Sequence, residues 1–330
     1  MNVTKFISSI SNNAIAGAFA KSWDLLDRYL LPVCSISGGS DSDIVLDIIH
    51  RLDVTHKVRY VWFNTGLELN ATKQHLAYLE DRYSIHIERV PAVKSVPVCV
   101  KEFGYPFISK VVSQKIHNLQ SYGFDFKDRN YDEDLNLFPQ ANDGLKWWHN
   151  IGSFKQWNIC YNKLLKEFLI VHPPQFSISD KCCYYAKKKS FAAFFNHNYC
   201  DLSIIGTRKA EGGIRARGNN CFTHSDNKGD VFRPIFWFSD YDKKVYERLF
   251  HVVHSDCYNV YGLKRTGCAG CPFNPTLFTD LLLIQKHEMG LVNAAYNVFK
   301  PVYDYTKLYR EFCNMHGSTL PLLEEDFSYG

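Results

Sequence analysis

No stretch of the 330 residues approaches the roughly eighteen uninterrupted apolar residues that a membrane-spanning helix requires, so no such span and no membrane partner is expected. The opening residues, MNVTKFISSISNNAIAGAFAKSWDLL, lack a long apolar core behind a basic region and do not read as a secretory leader. Strong charge is missing too. A formal net charge of +4 is too small to mark a nucleic-acid coat, so any acidic partner has to be met locally. Against these absences stand eleven cysteines. Without a leader, a reducing cytoplasm is the expected setting, and clustered cysteines then point to metal or redox chemistry. The length allows one large or two modest domains, each with its own core.

Along the chain, KSWDLLDRYLL (21–31) has helical spacing, and Pro32 stops it ahead of the short strand VCSIS. In SDIVLDIIHRL, Ile44, Val45, Ile48, Ile49 and Leu52 recur at helical spacing and define one apolar face. A second strand, KVRYVWFN, ends at TGLELNAT, and the helix KQHLAYLEDRY leads to a third strand, IHIERV. Strands alternating with helices predict an α/β fold, a Rossmann-like parallel sheet flanked by helices, with its ligand crevice beyond the carboxyl ends of the strands. After a helix through about Gln120, residues 123–151 are acidic, Asn-rich and aperiodic, as expected of an insertion or lid loop. A helix (FKQWNICYNKLLKEFLIV), a strand (DLSIIG) and a helical, cysteine-bearing C-terminal region follow.

The stretch CSISGGSDSDIVL, Cys34 to Leu46, joins the first strand to its helix. A glycine-rich turn and the free N–H groups of a helix start form a concave donor array that suits an anion. Gly38 and Gly39 leave room where a Cβ would block close approach, and Ser37 and Ser42 add hydroxyls. Asp41 can cap the helix or hold Mg2+ against a phosphate. The plainer alternative is a turn followed by an N-cap at Ser40 or Asp41.

Two cysteine pairs stand out: adjacent Cys182 and Cys183, and the Cys-x-x-Cys of RTGCAGCPF, Cys268 and Cys271. Gly267 and Gly270 permit the tight backbone of the second pair, and four thiolates suit zinc or an iron-sulfur cluster equally on spacing. Adjacent cysteines tilt the choice toward [4Fe-4S], in which each thiolate addresses a different iron. Cys34, Cys99, Cys160, Cys200 and Cys221 read as reduced apolar thiols, whereas Cys257 is close enough to the Cys-x-x-Cys to substitute as a ligand.

The hexamer SGGSDS resembles the PP-loop of ATP pyrophosphatases and of the adenosine phosphosulfate (APS) and phosphoadenosine phosphosulfate (PAPS) reductase family. Further segments resemble that family in order: FNTGLELNAT with Thr65 and Gly66, EFGYPFISK ending at Lys110, IIGTRKAEGGIRAR with Arg208 and Arg215, and RPIFWFSDYDKKVY. The resemblance implies an adenine nucleotide alpha-hydrolase-like domain over 31–275, between an N-terminal helical segment (1–30) and a C-terminal helical extension (276–330). It implies nucleotide contacts, to ATP or to APS or PAPS, from Ser37, Gly38, Gly39, Ser40, Asp41, Ser42, Thr65, Gly66, Lys110, Arg208 and Arg215. The same resemblance implies catalytic roles for Asp41, Lys187 and Arg208, and a [4Fe-4S] cluster ligated by Cys182, Cys183, Cys268 and Cys271.

Three departures bear on activity. Ser40 stands where many relatives carry lysine, and Ala186 replaces the arginine that precedes Lys187 in the pattern. The tail offers REFCNMHGS, with Cys313 three residues before His316, where reductases usually carry Glu-Cys-Gly-(Leu/Ile)-His; Cys313 reads best as a small apolar residue of an amphipathic helix. The expected activity is therefore ATP-dependent adenylation with pyrophosphate release, coupled to sulfur transfer or thiolation. The alternatives are a sulfonucleotide reductase and a catalytically silent nucleotide- or partner-binding module. A sulfur- or electron-donor protein fits this reading, as does a nucleic-acid substrate contacted by Trp147, Trp148 and the lysines at 187–189.

Overall fold

The computed structural model describes residues 3–152, 154–212, 218–225 and 229–317. Six strands among them form one sheet in the order β3-β2-β1-β4-β6-β5. The strands are β1 (Pro32–Ser35), β2 (Arg59–Asn64), β3 (Ile87–Pro91), β4 (Leu202–Ile205), β5 (Phe222–Thr223) and β6 (Asp230–Phe232). All neighbours pair in parallel except β5, which runs antiparallel to β6 at one edge. Central β1 matches Cys34 with Tyr60 on one side and with Ile204 on the other. Its burial follows from covered sheet faces, which favour an unbroken apolar strand.

The expected alternation of strand and helix is present. The helix Ser40–Leu52 follows β1 and buries Ile44, Val45, Ile48, Ile49 and Leu52, as its periodicity predicts. Asn70–Tyr83 follows β2, and Asp240–Phe250 follows β6. One boundary differs clearly. The first long helix is Asn13–Arg28, because the Asn12 side chain accepts the Ile15 N–H at 3.0 Å and sets its start. It ends before Leu30 and Leu31, whose N–H groups donate to the Asp201 carboxylate at 2.6 and 2.9 Å.

From β1 the chain builds outward through β2 and β3, and β4 then lies on the opposite side of β1. That reversal makes the carboxyl ends of β1 and β4 a topological switch point, where open parallel sheets bind ligands. The turn after β1 is SGGSDS and the residue after β4 is Gly206, both in the unit that carries the sheet. This compact unit comprises the chain up to Val93 together with Lys187–Gly267.

Lys94–Ala186 and the chain from Cys268 onward form a second compact unit. It is helical. Residues 123–151, expected as an aperiodic loop, contain the helices Tyr131–Leu137 and Asn142–Trp148. Part of the local acidity serves the fold: Asn130 and Glu133 make a capping box, and buried Asp134 pairs with Arg129 at 2.6 Å and His149 at 2.8 Å. The long helix Met289–Met315 packs Tyr305 and Tyr309 against Phe168, with ring centroids 5.0 and 5.1 Å apart.

Candidate functional site

The turn after β1 is organised from within by its own hydroxyls. Ser42 Oγ donates to Gly39 O at 2.7 Å, and Ser37 Oγ lies 3.1 Å from Ser42 Oγ. Gly38 has φ +69°, and a Cβ there would stand 2.6 Å from Thr72 Cγ2, so glycine is required for both conformation and space. Gly206 is equally constrained by space, since its Cβ would meet Ser42 N at 2.9 Å. Gly39 occupies the N-cap position in place of Ser40 or Asp41, so neither of those side chains is consumed in capping. Among the described residues, the N–H groups of Gly38 and Asp41 meet no acceptor, leaving donors for an anion.

A polar pocket of about 310 Å³ lies over this turn. It is lined by four cationic side chains, Arg208, Lys243, Lys264 and Arg265, and by two carboxylates, Asp41 and Glu211. Asp41 is heavily engaged. Arg208 Nε contacts its two oxygens at 3.1 and 3.0 Å, and Lys243 Nζ contacts it at 2.7 Å. Arg208 is buried and also donates to Asp240 at 2.8 Å; burial works against its charge, and the bonds to Asp240 and Asp41 outweigh that cost. Lys264 and Arg265 make no ion pair among the described residues. A dication at Asp41 would face two cations already seated there, so the geometry does not suit Mg2+ at this carboxylate.

Beside the polar pocket lies a mainly apolar cavity of about 480 Å³, and Ser37 and Thr266 line both. Trp62, Phe63 and Phe191 supply apolar walls, with Lys187 and Arg233 also contributing. Ser35 Oγ also belongs to its lining and is buried without a hydrogen-bond partner. An orphaned hydroxyl in an apolar wall is a place where a ligand donor or acceptor gains by binding. Thr65, at the end of β2, donates through Oγ1 to Glu68 at 2.5 Å, and both line the cavity. Gly66 has φ +94° and donates its N–H to Asn64 Oδ1 at 2.9 Å.

The structure thus brings Ser37, Gly39, Ser40, Asp41, Ser42 and Arg208 to one pocket, with Thr65 and Lys187 at the adjoining cavity. Lys110 opens the helix Lys110–Ser121 of the second unit, and Arg215 lies outside the described residues. Lys243, Tyr258, Lys264, Arg265 and Thr266 were not anticipated as pocket residues. Only the basic pair Lys264–Arg265 ahead of the Cys-x-x-Cys carried a visible signal. Behind the turn, fully buried Asp43 accepts from His254 Nδ1 at 2.8 Å and lies 3.1 Å from His75 Nε2. Burial pushes the Asp43 carboxyl up, but the hydrogen bond from His254 and the proximity of His75 prevail and hold it below the usual carboxylate range. Burial likewise opposes charge on His254, yet Asp43 and Glu247 together raise it to about 9.

All four paired cysteines belong to the second unit. Cys182 is buried; a hydrogen bond with Cys183, burial and the nearby sulfurs of Cys271 and Cys268 push its thiol far up. Such crowding of sulfurs is costly for thiolates alone, and a cationic metal centre bound to them would relieve it. Gly270 takes φ +63° in the Cys-x-x-Cys turn, its carbonyl accepting from Tyr303 Oη, whereas Gly267 needs no positive φ. Among the described residues, no three His, Cys, Asp or Glu side chains are arranged to hold a single metal ion. Cys257 belongs to the first unit, with its sulfur 3.5 Å from Thr72 Oγ1. Trp147 and Trp148 are buried and not available as nucleic-acid contacts, while Lys187, Lys188 and Lys189 are exposed. Cys313 is buried, its thiol directed at Lys163 O at 3.8 Å and pushed up by burial, as a packing residue would be.

No family profile and no curated protein matches the chain. Among solved structures it is similar to a PAPS reductase from Candida auris in a phosphate complex, at 10% identity and a TM-score of 0.44, covering 81% of this chain and 93% of that one. It is also similar to the U34-tRNA thiolase NcsA from Methanococcus maripaludis with its [4Fe-4S] cluster, at 11% identity and a TM-score of 0.35, covering 94% of this chain and 84% of that one. No helix among the described residues is long and apolar enough to cross a membrane.

Proposed function

We propose that the chain is a PP-loop enzyme of the PAPS reductase-like type that binds ATP and activates an acceptor by adenylation for sulfur transfer. The observation that carries the reading is the pairing of a donor-rich, cationic pocket with an apolar cavity at the switch point, joined through Ser37 and Thr266. A nucleotide has this division of chemistry. Its base and ribose suit the 480 Å³ cavity, and its phosphates suit the turn, Arg208, Lys264 and Arg265. With the leaving pyrophosphate held there, an acceptor oxygen attacks the α-phosphate, and positioning with charge neutralisation supplies most of the rate. Arg215 and Lys110 are proposed as further phosphate contacts, and Lys187 as a group facing the acceptor.

Cys182, Cys183, Cys268 and Cys271 are proposed to hold a [4Fe-4S] cluster, which would supply sulfur or electron chemistry when bound. The buried packing of Cys313 favours thiolation over sulfonucleotide reduction, which needs a mobile, activated thiolate. Anaerobically purified protein is expected to contain iron and sulfide, to absorb in the visible, and to convert ATP to AMP and pyrophosphate when given its acceptor. A colourless, zinc-containing preparation overturns the cluster. Thermal stabilisation by APS or PAPS but not by ATP overturns the choice of nucleotide.

A further inference from the structure

The turn SGGSDS carries no cation of its own and one carboxylate, Asp41, at the pocket where phosphate is proposed to bind. Left alone, that carboxylate would repel an anion. Lys243 reaches the turn from the helix Asp240–Phe250, about two hundred residues away in sequence, and places Nζ 2.5 Å from Ser40 Oγ and 2.7 Å from Asp41 Oδ1. Its side chain is only 16% exposed, and Glu247, 4.0 Å away, is its other acidic neighbour. Arg208 contacts both Asp41 oxygens, so one carboxylate is matched by two cations. Because Arg208 is shared with Asp240, Lys243 is the cation that leaves the turn itself without net negative charge.

We infer that Lys243 is the phosphate-binding cation of this turn, contributed by a distant helix and seated on Ser40 and Asp41 so that its ammonium contacts the bound polyphosphate. The inference rests on the nucleotide reading above and adds a residue to it. A compact ammonium with three donors can keep Ser40 and Asp41 and still offer one proton to an anion. Helix capping serves the same end: Ser239 and Asp242 close the helix start one turn from Lys243 and fix the direction of its stem.

The test compares ATP, inorganic pyrophosphate and adenosine by titration calorimetry on the full chain. Lys243→Gln is expected to weaken ATP and pyrophosphate by about tenfold or more while leaving adenosine unchanged, because only the phosphates meet the ammonium. Adding Ser40→Lys to Lys243→Gln is expected to restore much of the loss by placing an ammonium in the turn. Unligated thermal midpoints check that each variant folds, and Lys243→Arg, which keeps the charge, replaces Lys243→Gln if the latter does not; it is expected to retain pyrophosphate binding. Native protein that binds neither ATP nor pyrophosphate overturns the nucleotide reading and the inference with it. Native binding with Lys243→Gln unchanged, or with adenosine weakened equally, overturns the inference alone.

Discussion

Asp43 and His254 give the sheet unit a pH dependence that reaches across neutrality. His254 is raised to about 9 against an ordinary value near 6.5, so its bonds to Asp43 and Glu247 stabilise the fold fully below about 6.5 and fade as pH rises through 9. Asp43 is lowered, so its contribution is present at neutral pH and fades as pH falls through its depressed value. The unfolding free energy read from urea titrations is expected to fall by an amount on the order of 2 kcal/mol between about pH 6.5 and 9, and His254→Gln to remove most of that slope. A native slope of zero across this window would contradict the buried ion pair. The sequence signal was present but easily passed over: Asp43 and Asp47 fall among Ile44, Ile48 and Ile49, where an amphipathic helix should be apolar. Charges in such places need partners: Asp43 finds His254 and His75 far along the chain, whereas Asp47 is met by Arg51 one turn on and by the distant hydroxyls of Tyr83 and Tyr246.

Elements were legible where their causes are local. The turn, its glycines and the apolar face of Ser40–Leu52 follow from spacing and backbone freedom alone. The helices of 123–151 were missed because their caps and ion pairs use the acidic residues that made the segment look unstructured. Trp147 and Trp148 were ambiguous because an aromatic pair reads alike whether it stacks on a base or fills a core. The Asp240–Phe250 helix shows how an element serves a site. Ser239 Oγ accepts from Asp242 N at 3.2 Å, and Asp242 accepts from Ser239 N at 2.9 Å, closing a capping box. Ser239→Ala is expected to cost about 1 kcal/mol in chemical denaturation. It should also weaken pyrophosphate binding modestly by loosening the first turn, from which Lys243 projects.

At the scale of the whole molecule, the chain enters the second unit at Lys94, leaves after Ala186 and returns at Cys268. The returning part supplies the helix whose Tyr305, Tyr309 and Phe312 surround Phe168. A chain ending at Gly267 is therefore expected to leave residues 94–186 without their aromatic partners, and limited proteolysis should cut there first. Survival of that segment as a resistant fragment would show that it folds without the returning helices. The cysteine pairs sit at the two necks of this excursion: Cys182 and Cys183 just before Ala186, and Cys268 and Cys271 where the chain comes back. Any centre that ligates one pair to the other turns residues 184–267 into a closed ring, much as a drawstring closes a purse. For a ring of this length, closure removes unfolded-state freedom worth on the order of 4 kcal/mol, so loss of the sulfur-bound centre would loosen the stretch of chain that runs between the two pairs.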